Sequence, residues 1–469
     1  MLASSSGLGI GQLAGAPYVF WGCAAALAAF CLGVLSRRNR PVGAAAIVCS
    51  LAILSANVAT THAAARLDAR FLLIIATAIH QAATAVWIGG LPYLLLTLRS
   101  YEPGADALAI CKRFSRMALF AVPLLFGAGL VLSKFYIGSM AGLYGTAYGV
   151  MVMGKALLFA LVVSLGALNF RTIRGFSKGD NVWLRHLSRI SEAEIGIGIT
   201  VILAAASLTS QPPAADLPND QVSLSAIADR LSPRLPRMNT PPLSSLSPST
   251  RQIWKQEHSS SSTGDTYIPG QEAYVPPNKG DIAWSEYNHH WAGLIVLTMG
   301  VLAVMARFRW LRWAKHWPLA FCGLALFLLL RADPENWPLG PDGFWESFTA
   351  ADVTQHRLFV VLILTFAAFE WGVQTGRLTS RKAALVFPAV CCLGGALLLT
   401  HSHAINNLQE AFLIELTHIP LALLAVAAGW ARWLEIRMPR PSVLVGAAGR
   451  IWPVCFTLIG VVLLLYREA

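Results

Sequence analysis

Apolar runs of roughly 18 to 25 residues alternate with short polar segments along the 469-residue chain. A helix of about 20 apolar residues crosses the hydrocarbon core of a bilayer, so each run predicts a membrane-spanning helix. There are twelve such runs, and the one near 317–331 is the shortest. They lie near residues 17–35, 42–64, 71–98, 114–135, 146–170, 191–208, 287–306, 317–331, 353–374, 383–402, 408–431 and 446–466. The pattern therefore predicts an all-α, polytopic membrane helix bundle with about 12 transmembrane helices.

A polar stretch near 209–285, rich in Pro, Ser and Thr, separates the first six runs from the last six. Such a composition cannot bury a core, so it indicates an extended linker. We therefore expect three regions: a six-helix membrane half over 1–208, the linker over 209–285, and a second six-helix membrane half over 286–469.

The composition excludes a soluble protein of this length. Hydrophobic residues make up 55% of the chain, charged residues only 13%, and the mean hydropathy is +0.57. The net charge of +12 would suggest nucleic-acid binding in a soluble chain. Here the basic residues lie in short loops between the predicted helices, so their charge orients the chain in the membrane instead.

Basic residues are distributed unevenly between the two sides of the predicted bundle. Alternate loops on one side carry 23 Lys and Arg residues, whereas the other side has six outside the long linker. The side that is rich in Lys and Arg faces the cytoplasm. The distribution therefore places both termini and the linker outside the cytoplasm, which agrees with an even number of helices.

Histidines concentrate on the non-cytoplasmic side. Nine of the eleven histidines lie on this side, and one of them, His258, lies in the linker. Because polar side chains are costly inside a bilayer, such a one-sided cluster predicts a metal or haem site. The other eight, of eleven in the chain, lie at or within a few turns of the outer face: His62, His80, His289, His290, His356, His401, His403 and His418.

Two of these histidines, His80 and His418, lie roughly ten residues into their helices, about 12–15 Å from the outer surface. A histidine at this depth cannot extend its side chain to water, so it needs a buried partner, a metal or a wet cavity. Each follows a rim histidine across a short turn, His62 before His80 and His403 before His418. Because the two segments share this order of features, we hypothesise a duplication that relates the two membrane halves.

The remaining candidates lie at the outer rim, where a histidine can also simply be solvated. Glu415 lies one turn before His418, so its carboxylate and the imidazole share a helix face. The carboxylate can bind the metal there or orient the imidazole. The predicted metal site comprises His80, His418, His62, His403, His401, His289, His290, His356 and Glu415.

Four segments of the first half resemble the copper-resistance D (CopD) family of bacterial inner-membrane proteins. They are HQAATAVWIGGL from His80, RFSRMAL from Arg113, TAYGVMVMGKALL from Thr146 and EIGIGITVILAAASLTSQPP from Glu194. The best match covers about residues 80–213. Several motifs in one order are more specific than any single motif.

The resemblance implies copper as the metal and the bacterial inner (plasma) membrane as the location, with both termini periplasmic. Family members are implicated in moving copper across this membrane, often with a periplasmic copper-binding partner of the CopC type. The linker is too short and too polar to form such a domain, so this partner would be a separate chain. We therefore expect copper import or copper resistance through a periplasm-facing histidine site, with copper and membrane lipid as partners and no nucleic acid.

Two other hypotheses stay open. A b-type haem or copper redox protein could work at the periplasmic face, because two imidazoles on facing helices also hold membrane haems. A membrane scaffold without transport is the third hypothesis. We expect no enzyme activity, and the sequence contains no Walker motif and no aspartyl-phosphate signature that would indicate an energy source.

Overall fold

All regular secondary structure in the residues that the computed structural model describes is helical, and none of them forms a β-strand. This result confirms the predicted all-α class. The described residues are 17–36, 43–101, 104–175, 182–209, 211–247, 278–334, 336–349, 351–400, 408–440 and 442–468.

The α-helices are numbered here in chain order. Those before residue 209 are α1 (Pro17–Ser36), α2 (Gly43–Ala59), α3 (His62–Ala65), α4 (Arg70–Trp87), α5 (Gly90–Leu98), α6 (Ala105–Ile137), α7 (Met140–Tyr144), α8 (Ala147–Arg174) and α9 (Trp183–Leu208). The later helices are α10 (Leu224–Leu231), α11 (Lys279–Met305), α12 (Ala320–Arg331), α13 (Ala351–Gln374), α14 (Val386–Leu399), α15 (Leu408–Arg437) and α16 (Val443–Leu464). Short 3₁₀ turns occur at Ala214–Asp216, Leu243–Ser245, Arg312–Leu319, Glu346–Thr349 and Ala383–Leu385.

Within the described residues, ten helical segments are long and apolar enough to cross a membrane. Two shorter apolar segments, Gly43–Ala59 and Ala383–Leu399, coincide with the two remaining predicted runs. Every predicted run therefore has a helical counterpart. The chain is a multi-pass membrane protein by the length and composition of its helices.

The chain divides into two compact units, and the first comprises 1–139 and 170–181. Within this unit α1 packs on α2, and α4 packs on α6 and α2. Gly90 permits the close approach of α5 to α6, because a β-carbon there would lie 2.8 Å from the Phe114 ring. The predicted division into two six-helix halves stays a prediction.

The second unit comprises 140–169 and 182–469. Its core is a cluster of aromatic side chains in which ring centroids lie 4.2–6.5 Å apart, a range typical of favourable ring contacts. These rings belong to Trp317, Phe321, Phe366, Phe387, Trp452 and Phe456. Helix α11 packs closely along α16, where a β-carbon on Gly300 would lie 2.5 Å from the Thr457 backbone nitrogen. Such glycines let helix backbones approach each other in a membrane.

Candidate metal centre

His80 is the eleventh residue of α4, so its Cα lies about 15 Å along the helix from Arg70. Its Nδ1 lies 3.2 Å from the backbone carbonyl oxygen of Leu125 on α6. Gly129 lies beside the ring, and a β-carbon there would be in ordinary contact with it, 3.5 Å from His80 Cε1. A carbonyl only accepts hydrogen bonds, so Nδ1 carries the proton and Nε2 carries the lone pair that a metal requires.

His62 lies in the same unit, at the start of the short helix α3. Its ring meets that of Tyr136 edge-on, with centroids 6.3 Å apart, and the Arg66 guanidinium carbon lies 5.7 Å from the same tyrosine ring. Nε2 of His62 is buried and makes no hydrogen bond with the described residues. This nitrogen is therefore a candidate metal ligand.

The second unit brings two predicted histidines together. The ring centroids of His289 on α11 and His418 on α15 lie 6.3 Å apart, at an interplanar angle of 79°. Tyr466, just after α16, stacks on His289 at 3.7 Å and meets His418 edge-on at 6.2 Å. His418 is also the eleventh residue of its helix, so His80 and His418 occupy equivalent positions along their helices.

Backbone carbonyls fix the proton position in both rings. Nδ1 of His289 lies 2.8 Å from the Ser285 carbonyl oxygen, and Nδ1 of His418 lies 2.9 Å from the Ile414 carbonyl oxygen. Both rings therefore carry the proton on Nδ1 and the lone pair on Nε2. Histidine ligands of metals are commonly oriented by such a second hydrogen bond.

The segment after α16 holds Tyr466 over the two imidazoles. The Tyr466 hydroxyl donates to the Glu468 carboxylate at 2.8 Å, and the Ser285 hydroxyl donates to the same carboxylate. Burial, aided by the nearby Glu468 charge, raises the pKa of Tyr466 well above its usual value. The phenol therefore stays neutral and keeps donating at physiological pH.

Two rim histidines have different surroundings. Both ring nitrogens of His290 are engaged: Nδ1 accepts from the Arg237 backbone N–H at 2.7 Å, and Nε2 donates to the Tyr466 carbonyl at 2.8 Å. His290 would have to give up one of these bonds to bind a metal. His356 pairs through Nδ1 with the Asp333 carboxylate at 2.9 Å.

Glu415 is buried, with 5% of its surface exposed, and forms no hydrogen bond or ion pair within the described part of the chain. It lies one turn before His418, as predicted. His401 and His403 lie outside the described residues. Among the residues that are described, no three His, Cys, Asp or Glu side chains lie close enough together to hold a metal ion.

A charged network at the opposite end of the second unit was not predicted. Arg432 bridges Glu370 at 2.9 Å and Glu435 at 2.8 Å. Glu435 also accepts from Arg307 at 2.9 Å and from the Trp452 indole at 2.8 Å. A cavity of about 280 Å³ lies beside this network. The sequence did contain a signal for this network, because acidic and basic residues lie inside apolar helices. Such residues usually pair with one another in a membrane.

Comparison with known proteins finds a family match over helices α6 to α9. Residues 108–208 match the family model described as Copper resistance protein D, and this segment runs from α6 through α9. The chain therefore contains a segment similar to the copper resistance protein D family, which confirms the resemblance seen in the sequence. None of the nine predicted site residues lies within 108–208, so the family match leaves the histidine site untested.

One curated relative is similar over part of the chain. The copper transport protein CutJ of Bacillus subtilis (strain 168) is 34% identical over 163 residues. This match covers 34% of the present chain and 29% of the relative, so most of the relative's length has no counterpart in the alignment. No solved structure matches the chain.

Proposed function

We propose that this protein moves copper across the bacterial inner membrane, with entry through histidines at the periplasmic face. The observation that carries the proposal is the match of residues 108–208 to the copper resistance protein D family. The name of the partial relative, a copper transport protein, supports the same metal. The charge distribution supports an orientation with both termini in the periplasm.

The histidine geometry supports an outer copper site in each unit. His289 and His418 lie with their rings 6.3 Å apart, and their Nδ1 protons are held by backbone carbonyls. His80 has the same Nδ1 arrangement in the other unit, where His62 has a buried Nε2 without a hydrogen-bond partner among the described residues. Imidazole nitrogen suits copper. Rim residues that could pass copper to these sites are His290, His356, His401, His403 and Glu415.

A separate periplasmic copper protein of the CopC type is the proposed donor. The outer face supports this role because the linker and the chain ends lie there by the positive-inside rule. A single histidine at the rim binds copper weakly. Delivery by a partner would explain how such histidines receive the metal. Addition of a copper-loaded CopC-type protein outside vesicles should accelerate uptake more than the same concentration of free copper.

The test of the proposed function is copper uptake by vesicles that contain the purified protein. Wild-type vesicles should accumulate copper faster than vesicles without protein, and His418→Ala and His80→Ala should lower the rate. His316→Ala is the matched control, because His316 accepts a hydrogen bond from the Trp371 indole at 3.0 Å and lies on the predicted cytoplasmic side. Uptake no faster than in empty vesicles would contradict the proposal.

The purified protein should also bind copper without a Soret absorption band. A strong Soret band would favour the haem hypothesis over copper transport.

A further inference from the structure

Glu194 is a buried carboxylic acid in the middle of α9. Only 2% of its surface is exposed, and it lies eleven residues after Trp183, about 16 Å along the helix. Helix α9 is one of the ten candidate membrane spans. An ionised carboxylate in such a place is expensive unless a positive charge offsets it.

The hydrogen-bond partners of Glu194 are neutral. The Asn169 amide on α8 donates to one carboxyl oxygen, and the Ser191 hydroxyl one turn earlier also donates to the carboxyl group. The same amide donates to the Ser191 oxygen at 3.1 Å. Asn169 and Ser191 are themselves 6% and 1% exposed. Two neutral donors orient the carboxyl group, but they supply no counter-charge.

Two other carboxylates of this unit have arginine partners. Glu192, two residues earlier on the same helix, pairs with Arg437 at 2.8 Å and also with Arg189. Glu370 pairs with Arg432 at 2.9 Å. In each of these pairs an arginine supplies the counter-charge that a buried carboxylate needs. Glu194 differs from them in kind, because its surroundings favour the neutral acid.

Among the described residues, the helices that pack around Glu194 bring no free cation to it. On α8, Lys155 lies fourteen residues from Asn169, about 21 Å along the helix. Arg171 and Arg174, beyond Asn169, are exposed. Helix α14 contains no charged side chain. The charged residues of α15 are Glu410, Glu415, Arg432, Glu435 and Arg437, and the last three already form the ion pairs given above.

We propose that Glu194 is a proton-binding site, and that its carboxyl group takes up and releases one proton during the transport cycle. Protonation converts the carboxylate to the neutral acid without any redox step. Asn169 can form a hydrogen bond with both the ionised and the protonated carboxyl group. Its amide N–H donates to the carboxylate, and its Oδ1, which is buried without a partner among the described residues, can accept from the acid after half a turn of the amide.

The position of Glu194 connects it with the helix that carries His418. Gly196, two residues later, lies against the Trp430 ring of α15, and a β-carbon there would overlap that ring. A change of charge on Glu194 therefore occurs beside a close contact between α9 and α15. A proton gradient could thus supply the energy for which the sequence contains no nucleotide motif. This coupling rests on the proposed copper transport, whereas proton binding does not.

Infrared difference spectroscopy tests proton binding directly. At neutral pH, wild-type protein should show carbonyl stretching bands of protonated carboxylic acids, and Glu194→Gln should remove one component of them. Glu192→Gln is the matched control and should leave that component in place. Asn169→Leu, which removes the amide donor, should shift that component. If the protonated-acid bands of Glu194→Gln and wild type are identical while both proteins elute as folded monodisperse species, the proposal is overturned.

Vesicle uptake under a pH gradient tests the coupling. Wild-type uptake should respond to the gradient, and Glu194→Gln should retain copper binding and downhill uptake while losing that response. Downhill copper uptake that ignores the gradient in the wild type would overturn the coupling and leave the proposed function standing. An intact Glu194 band in a protein that takes up no copper would support the proton site and contradict the proposed function.

Discussion

Replacement of Arg432 by methionine should destabilise the protein by about 3–5 kcal/mol, because it leaves a buried carboxylate without its counter-charge. The side chain of Glu370 is 0% exposed and that of Arg432 is 11% exposed, so solvent cannot compensate. Glu370 would keep only its 2.7 Å hydrogen bond from Gln374. Glu435 would retain Arg307 and therefore contributes less to the loss.

Equilibrium unfolding of the detergent-solubilised protein measures this effect. Arg237→Met is the matched control, since it removes an ion pair with Glu286 in which the arginine is 49% exposed, and it should cost less than about 1 kcal/mol. The double variant Arg432→Met/Glu370→Leu should recover part of the loss, because an apolar pair often replaces a buried ion pair well. If Arg432→Met lowers the free energy of unfolding no more than Arg237→Met does, the network does not stabilise the second unit as described.

Three further substitutions test other contacts. His290→Ala should lower the free energy of unfolding by about 1–3 kcal/mol, because it leaves the Arg237 N–H and the Tyr466 carbonyl without their imidazole partner; an unchanged unfolding curve would contradict this. Gly129→Leu should push the His80 ring from the Leu125 carbonyl and weaken copper binding in equilibrium dialysis, whereas Gly127→Leu, with open space around it, should not. Gly196→Val should prevent α9 from packing against α15, so size-exclusion chromatography should show loss of the monodisperse protein; normal elution would refute that contact.

Hydropathy predicted the membrane helices because burial in lipid demands long apolar runs. It predicted their ends less well. Helix α6 begins at Ala105 rather than near 114, since polar residues such as Lys112 and Arg113 lower the hydropathy of a helix that continues past the apolar run. Helix α11 begins at Lys279, where Asn278 and Asp281 cap it reciprocally.

The candidate site was predictable only in part. The sequence placed His80 and His418 about ten residues into their helices, and both lie at the eleventh helical residue. Spacing could not show that Tyr466, from another helix, stacks on His289, since that contact depends on tertiary packing. Nor could it show that His290 engages both ring nitrogens, because its partners lie 53 and 176 residues away.

The uptake of copper by vesicles that contain wild-type protein, His418→Ala or His316→Ala tests the central claim most directly. The account predicts fast uptake by the wild type and by His316→Ala, and a rate at least about tenfold lower for His418→Ala, the scale on which metal sites respond to loss of supporting groups. Equal uptake by all three proteins would contradict entry through His418. Wild-type uptake no faster than in protein-free vesicles would contradict copper transport itself.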